Sequence, residues 1–191
     1  MMQIWIYVPK IHDKPDSNLV TEITNRLPDT SLMKGEDHVG CGHYGAHSLN
    51  AYIRNKYGKG TNNDNAAYFC GGRALIAPEP NTFTLREVVK RAGGYFPGGA
   101  TPFQHWNNQP LYILDELAAY TCGTITGIHA GDTTSGRVKG SYRFAKDMLR
   151  HAKAVVALAY ETKYPYAQFL DQYVRATEEL HRTQIVPYLK K

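Results

Sequence analysis

Two histidines four residues apart, His43 and His47, stand in the stretch 37–57, DHVGCGHYGAHSLNAYIRNKY, where Leu49, Ile53 and Tyr57 recur at helical spacing. Residues four apart on a helix sit one turn above each other on one face, so both imidazoles can address one point. Neutral imidazole is the commonest protein ligand for zinc, and two histidines plus a carboxylate with an open fourth position is a hydrolytic zinc arrangement. A carboxylate is available further along. Residues 111–123, LYILDELAAYTCG, carry Asp115 and Glu116 in a helical pattern, with Ala119 one turn after Glu116. A small residue there lets a second helix come close enough for Glu116 to reach the histidines as third ligand. In the H-E-x-x-H hydrolases a glutamate follows the first histidine and acts as general base. Here Tyr44 occupies that position.

Three stretches, HYGAHSLNAYIRN, NAAYFCGGRALIAPEP and WNNQPLYILDELAAYTCG, resemble a bacterial group of short gluzincin-type zinc metalloproteases (H-E-x-x-H … E). The resemblance spans residues 35–123. It implies His43 and His47 as helix ligands, Glu116 as third ligand, one zinc ion as cofactor, and peptide-bond hydrolysis as the reaction. The pattern departs at Tyr44, where that group carries its catalytic glutamate. A second reading therefore stays open, a catalytically inactive relative that binds a metal, a peptide or a partner. A third is a helical structural protein in which His43 and His47 are merely packed.

Asp115, next to the third ligand, is expected to orient a histidine from behind. His105, His129 and Tyr120 are further candidates for supporting the ligands or touching a substrate. Glu36 and Asp37 are possible sources of a displaced base.

These residues must be positioned by a fold, and the chain is long enough for one. At 191 residues and 42% hydrophobic content, a single domain over 1–191 with a real core is expected. Residues 3–8 alternate and predict a strand; 17–26 predict a helix capped by Ser17; 66–76 predict a strand or hairpin with Gly71 and Gly72 at a turn. Gly40 and Gly42 weaken the start of the histidine helix, which they would allow to begin as late as Gly42. Residues 84–92 predict a short helix capped by Thr82 or Thr84, with Glu87 in its first turn. The stretch 93–108 reads as an irregular loop, a possible lid carrying Tyr95 and His105. Residues 123–140 read as a small-residue connector. Residues 141–160, with an apolar stripe of Phe144, Met148, Ala152, Val155, Val156 and Ala159, and 166–189 predict a helical hairpin broken at Pro165. The expected architecture is α+β: mainly helical and zincin-like, with a small β-sheet and a C-terminal helical hairpin.

The net charge of +5 favours acidic partners. The densest basic group, Lys139, Arg143, Lys146, Arg150 and Lys153, recurs at helical spacing and reads as one solvated face; no nucleic-acid-binding pattern accompanies it. A peptide or protein is the expected ligand. Cys41, Cys70 and Cys122 form no metal knuckle and read as small buried thiols. With no membrane-length apolar run and no leader pattern, a reduced, cytoplasmic protein is the expectation.

Overall fold

The computed structural model describes the backbone of residues 6–7, 38–57, 64–69, 73–96, 101–131 and 136–189. The helix expected over 17–26, the possible bases Glu36 and Asp37, the turn at Gly71 and Gly72, and Cys70 lie outside the described residues.

The described chain is mostly helical. The histidine helix, α1 (His38–Tyr57), is followed by β2 (Asp64–Phe69) and β3 (Arg73–Pro78), and β1 (Ile6–Tyr7) lies before it. β3 is central: β2 pairs with it antiparallel, with Ala67 opposite Leu75, and β1 pairs parallel, with Tyr7 opposite Leu75. The remaining elements are α2 (Leu85–Arg91), α3 (Thr101–Trp106), α4 (Tyr112–His129), α5 (Gly136–Glu161), α6 (Ala167–Leu180), a π-helical turn (His181–Ile185) and α7 (Val186–Leu189).

α2 starts where its sequence directs. Thr84 accepts from the Glu87 amide while the Glu87 side chain accepts from the Thr84 amide, a reciprocal cap that satisfies two otherwise orphaned donors. The stretch 93–108 is more regular than expected. Residues 101–106 form α3, because Pro102 is tolerated in a first helical turn, where no intrahelical donor is needed. Its end is tied to α2, the Leu85 amide donating to the Asn107 carbonyl at 2.9 Å and the Arg86 amide to the Asn107 side chain at 3.2 Å.

Two further boundaries differ from the sequence reading for one reason. α1 begins at His38, through Gly40 and Gly42, and α4 continues through Gly123 and Gly127 to His129. Glycine costs about 1 kcal/mol in a helix interior relative to alanine. Tertiary packing requires it here. A Cβ at Gly123 would stand 2.7 Å from the Val39 carbonyl oxygen, and one at Gly42 would stand 2.8 Å from the Cys122 carbonyl oxygen and collide with the Thr126 hydroxyl. One at Gly127 would meet methyl groups of Val138 and Val39 at 2.6 and 2.8 Å. Backbone-to-backbone approach of α1 and α4 is possible only without those side chains.

α5 and α6 form the expected antiparallel pair behind this interface. Met148, Ala152, Val155, Val156 and Ala159 are buried on α5, as are Leu170, Tyr173, Val174 and Leu180 on α6 and in its last turn. Phe144 departs from the expected stripe and is 39% exposed. The helix expected over 166–189 is interrupted by the π-helical turn at His181–Ile185. Lys139, Arg143, Lys146, Arg150 and Lys153 are all exposed, the solvated face that their spacing suggests. Cys122 is disulfide-bonded rather than the free thiol expected. No helix among the described residues is long and apolar enough to cross a membrane.

Candidate metal centre

The buried side of α1 runs through Gly42, Ala46, Leu49 and Asn50, the i, i+4, i+7, i+8 rhythm of one helix face. His43 and His47 each follow a buried position by one residue, which rotates them to the margin of that face. They are half-buried, as is Glu116 on the facing α4. One donor atom from each of His43, His47 and Glu116 lies within 4.8 Å of the other two. The triad that the sequence spacing suggests is therefore assembled in space.

Two of the three ligands, His47 and Glu116, are held from behind. Asp115 accepts from His47 Nδ1 at 3.1 Å. A carboxylate only accepts, so this contact places the ring proton on Nδ1 and leaves the Nε2 lone pair toward Glu116, whose Oε1 is 3.7 Å away. Ligand atoms of a tetrahedral zinc site with bonds near 2.1 Å stand about 3.4 Å apart, so this pair needs little adjustment. Buried Asn50 donates to the same Asp115 oxygen, fixing the carboxylate in turn. The Tyr112 hydroxyl donates to Glu116 Oε1 at 2.6 Å from one turn earlier on α4. Trp106, at the end of α3, stacks on the Tyr112 ring with centroids 4.2 Å apart and planes 13° from parallel.

The electrostatics suit a cation. Burial, reinforced by the neighbouring His47, pushes the His43 pKa down to about 4, so its imidazole is neutral and able to ligate at neutral pH. Burial also acts most strongly on His47, downward, but the hydrogen bond and charge of Asp115 and the charge of Glu116 outweigh it and raise the pKa overall. Burial raises that of Glu116 against the Tyr112 hydrogen bond and the charge of His47. A desolvated carboxylate, two imidazoles and a proton-sharing pair form an arrangement that a divalent ion would stabilise by replacing the proton.

The other singled-out residues fall at different distances from this centre. Tyr120 packs its ring against His43, centroids 4.6 Å apart. Tyr44, in the place of the resembled group's glutamate, touches the edge of His43 at 5.5 Å but is 71% exposed. His105 is exposed on α3, its ring beside Trp106 at 6.1 Å. The stretch 93–108 reaches the centre through Trp106 instead, by way of Tyr112. His129 is exposed at the far end of α4, 13 residues beyond Glu116 and hence about 20 Å along the axis. It is remote from the triad. Asn50, Tyr112 and Trp106 escape a reading by motif, since none is a metal-ligand type; the i, i+4 relation of Tyr112 to Glu116 is the one local signal for them. No family model, no curated protein and no solved structure matches this chain.

Proposed function

We propose that this protein binds one zinc ion through His43, His47 and Glu116, and that the centre is of the hydrolase type, acting on a peptide or amide bond. The observation that carries the reading is the convergence of three donor atoms within 4.8 Å, each of two ligands being held by a hydrogen-bonded partner of its own. Two imidazoles and one carboxylate are the donor set of catalytic rather than structural zinc, because they leave a fourth position open. Zinc bound there would supply Lewis acidity and lower the pKa of a coordinated water. Asp115 and Asn50 orient the His47 ring so that its Nε2 would be free to hold the ion, and Tyr112 hydrogen-bonds Glu116, which would hold it from α4. The zincin-like reading of the fold rests on this same pairing, histidines one turn apart on one helix and a glutamate from a second.

A second reading, a metal- or peptide-binding protein without turnover, is favoured by one specific observation. Asp115 is committed to His47 and Asn50, Glu116 is a donor itself, and Tyr44 points largely into solvent. Among the described residues at the centre, no carboxylate is left over to take a proton from water. The Cys122 disulfide further favours an oxidising compartment over the cytoplasm expected from the sequence.

Metal analysis of untagged protein tests the first step. One zinc per chain is expected. In His43→Ala or Glu116→Ala the affinity falls about 1000-fold, one third of a zinc-binding free energy on the order of 12 kcal/mol. Wild-type retention of zinc by both variants would refute the triad. Peptidase assays of Tyr44→Glu then separate the two readings: zinc-dependent turnover gained only in the variant identifies a competent centre that lacks its base, and turnover already present in the parent rejects the non-catalytic reading.

A further inference from the structure

Tyr44 and Phe144 are two large side chains that the fold leaves open to water, at 71% and 39% exposure, and they come from different helices. Phe144 is the more unusual of the two. Its neighbours one turn away along α5 are Gly140, Ser141, Asp147 and Met148, of which only Met148 is large and apolar and that one is buried, so no exposed apolar patch on α5 explains a phenylalanine there. Its ring instead lies flat against Tyr120, centroids 5.1 Å apart and planes 22° from parallel. Tyr120 in turn rests on His43, a proposed zinc ligand, and Tyr44 meets the same imidazole with its ring plane at 90°. Phe144, Tyr120, His43 and Tyr44 thus form an unbroken succession of rings that is open to solvent at both ends and passes through the metal centre at His43.

We propose that this ledge seats an aromatic group of the ligand whose anionic oxygen takes the open position on the metal; the inference rests on the zinc reading above. Two properties specify that ligand. A dication held by two neutral imidazoles and one carboxylate keeps one positive charge, so the donor is an anionic oxygen. The adjoining surface consists of ring faces and edges, which attract another ring in offset or edge-on geometry beyond simple area burial. An aromatic carboxylate, or the aromatic residue beside the carboxylate of a peptide, has both features within a few bonds of each other.

Cobalt-loaded protein, whose visible spectrum reports the open position, tests this with phenylacetate and acetate as probes. Phenylacetate is expected to bind about ten-fold more tightly than acetate, the worth of one added aromatic contact. In Phe144→Ala, an exposed position whose truncation spares the core, the preference should shrink to about two-fold while cobalt affinity is unchanged. Tyr44→Ala should likewise reduce the preference. Equal binding of the two acids to a protein holding one cobalt overturns the ledge and leaves the metal centre standing, as does a preference that survives both substitutions. Failure to take up cobalt overturns the metal reading, and the ledge with it.

Discussion

The α1–α4 interface and the α5–α6 pair are both helix-on-helix packings, yet they are built from opposite materials. Where α5 meets α6, the buried side chains are chiefly apolar, Met148, Ala152, Val155, Leu170 and Val174, with the Thr177 hydroxyl satisfied inside its own helix and an exposed Lys153–Glu178 ion pair at the rim. Where α1 meets α4, glycines bring the backbones together, and the space beyond them is filled with His43, His47, Asn50, Asp115 and Glu116. Burying titratable groups costs free energy unless each finds a partner, and every glycine in a helix gives up propensity. Stability alone would not select such an interface. The first packing supports the fold, and the second places donor atoms.

The comparison predicts that the two interfaces fail differently. Leu170 is fully buried between α6 and the core. Leu170→Ala should destabilise the protein by about 2–5 kcal/mol, as truncations that leave a cavity do. Zinc affinity at a temperature where the variant is folded should be unchanged. Thermal unfolding combined with zinc titration checks both halves. A large loss of affinity in this variant would mean that the centre depends on the hairpin and that the two interfaces do not act separately.

Gly123→Ala tests the other side. The added Cβ would lie 2.7 Å from a backbone oxygen and 3.4 Å from the His43 Cβ, so α1 must shift rather than a flexible side chain rotate. A destabilisation of about 1–3 kcal/mol is expected from overpacking. Unlike Leu170→Ala, it should weaken zinc binding as well, because His43 moves with α1. Calorimetric zinc titration of the folded variant gives the answer: unaltered affinity would show that the glycines serve packing alone.

How much of this was legible in the sequence follows the same division. His43, His47 and Glu116 could be paired in advance because one-turn spacing on a helix is a local property, and Asp115 came with them by adjacency. The cap of α2 was equally local, carried by Thr84 and Glu87 three residues apart. What escaped depends on contacts between distant segments. Gly42, Gly123 and Gly127 read as helix-weakening residues until the opposing backbone is known, which is why the sequence allows α1 to begin as late as Gly42 and places the end of α4 near Gly123. The sequence marks Tyr120 only as a candidate for supporting a ligand or touching a substrate and places Phe144 in the apolar stripe, because the ring contact between them joins α4 to α5. Trp106 lay in a stretch whose glycines and prolines pointed to a loop.

Within the centre itself, the supporting partners should matter less than the ligands. Asp115→Asn keeps the size of the side chain and removes the charge that holds His47 Nδ1–H. Loss of such a partner typically lowers metal affinity 10–100-fold, and a drop in that range is expected. A drop as large as that of Glu116→Ala would instead make Asp115 a direct ligand, which a cobalt spectrum would register as a changed coordination sphere.

The smallest effect distinguishes a buried histidine that serves the fold from those that serve the centre. His181, in the π-helical turn, is 3% exposed; its Nε2 contacts the Thr121 hydroxyl at 2.8 Å, and its Nδ1 has no hydrogen-bond partner. Burial pushes its pKa down to about 4, against an opposing pull from Glu178, and the edge of Tyr142 packs on its ring. An unfolded histidine titrates near 6.5. Between these two values the unfolded chain holds a proton that the folded chain does not, so stability falls as pH falls through the window. The loss begins near the unfolded pKa and is complete below the folded one. From about pH 7 to about pH 5.5 it should amount to about 1 kcal/mol. Denaturant melts of the parent and of His181→Gln across this range isolate it, since the variant lacks the titration while keeping a polar group for Thr121. Parallel pH profiles for the two proteins would mean that His181 becomes charged in the folded state as readily as in the unfolded one. The unpartnered Nδ1 would then have access to water, and the π-helical turn would be less tightly closed than the packing of Tyr142 and Thr121 against His181 implies.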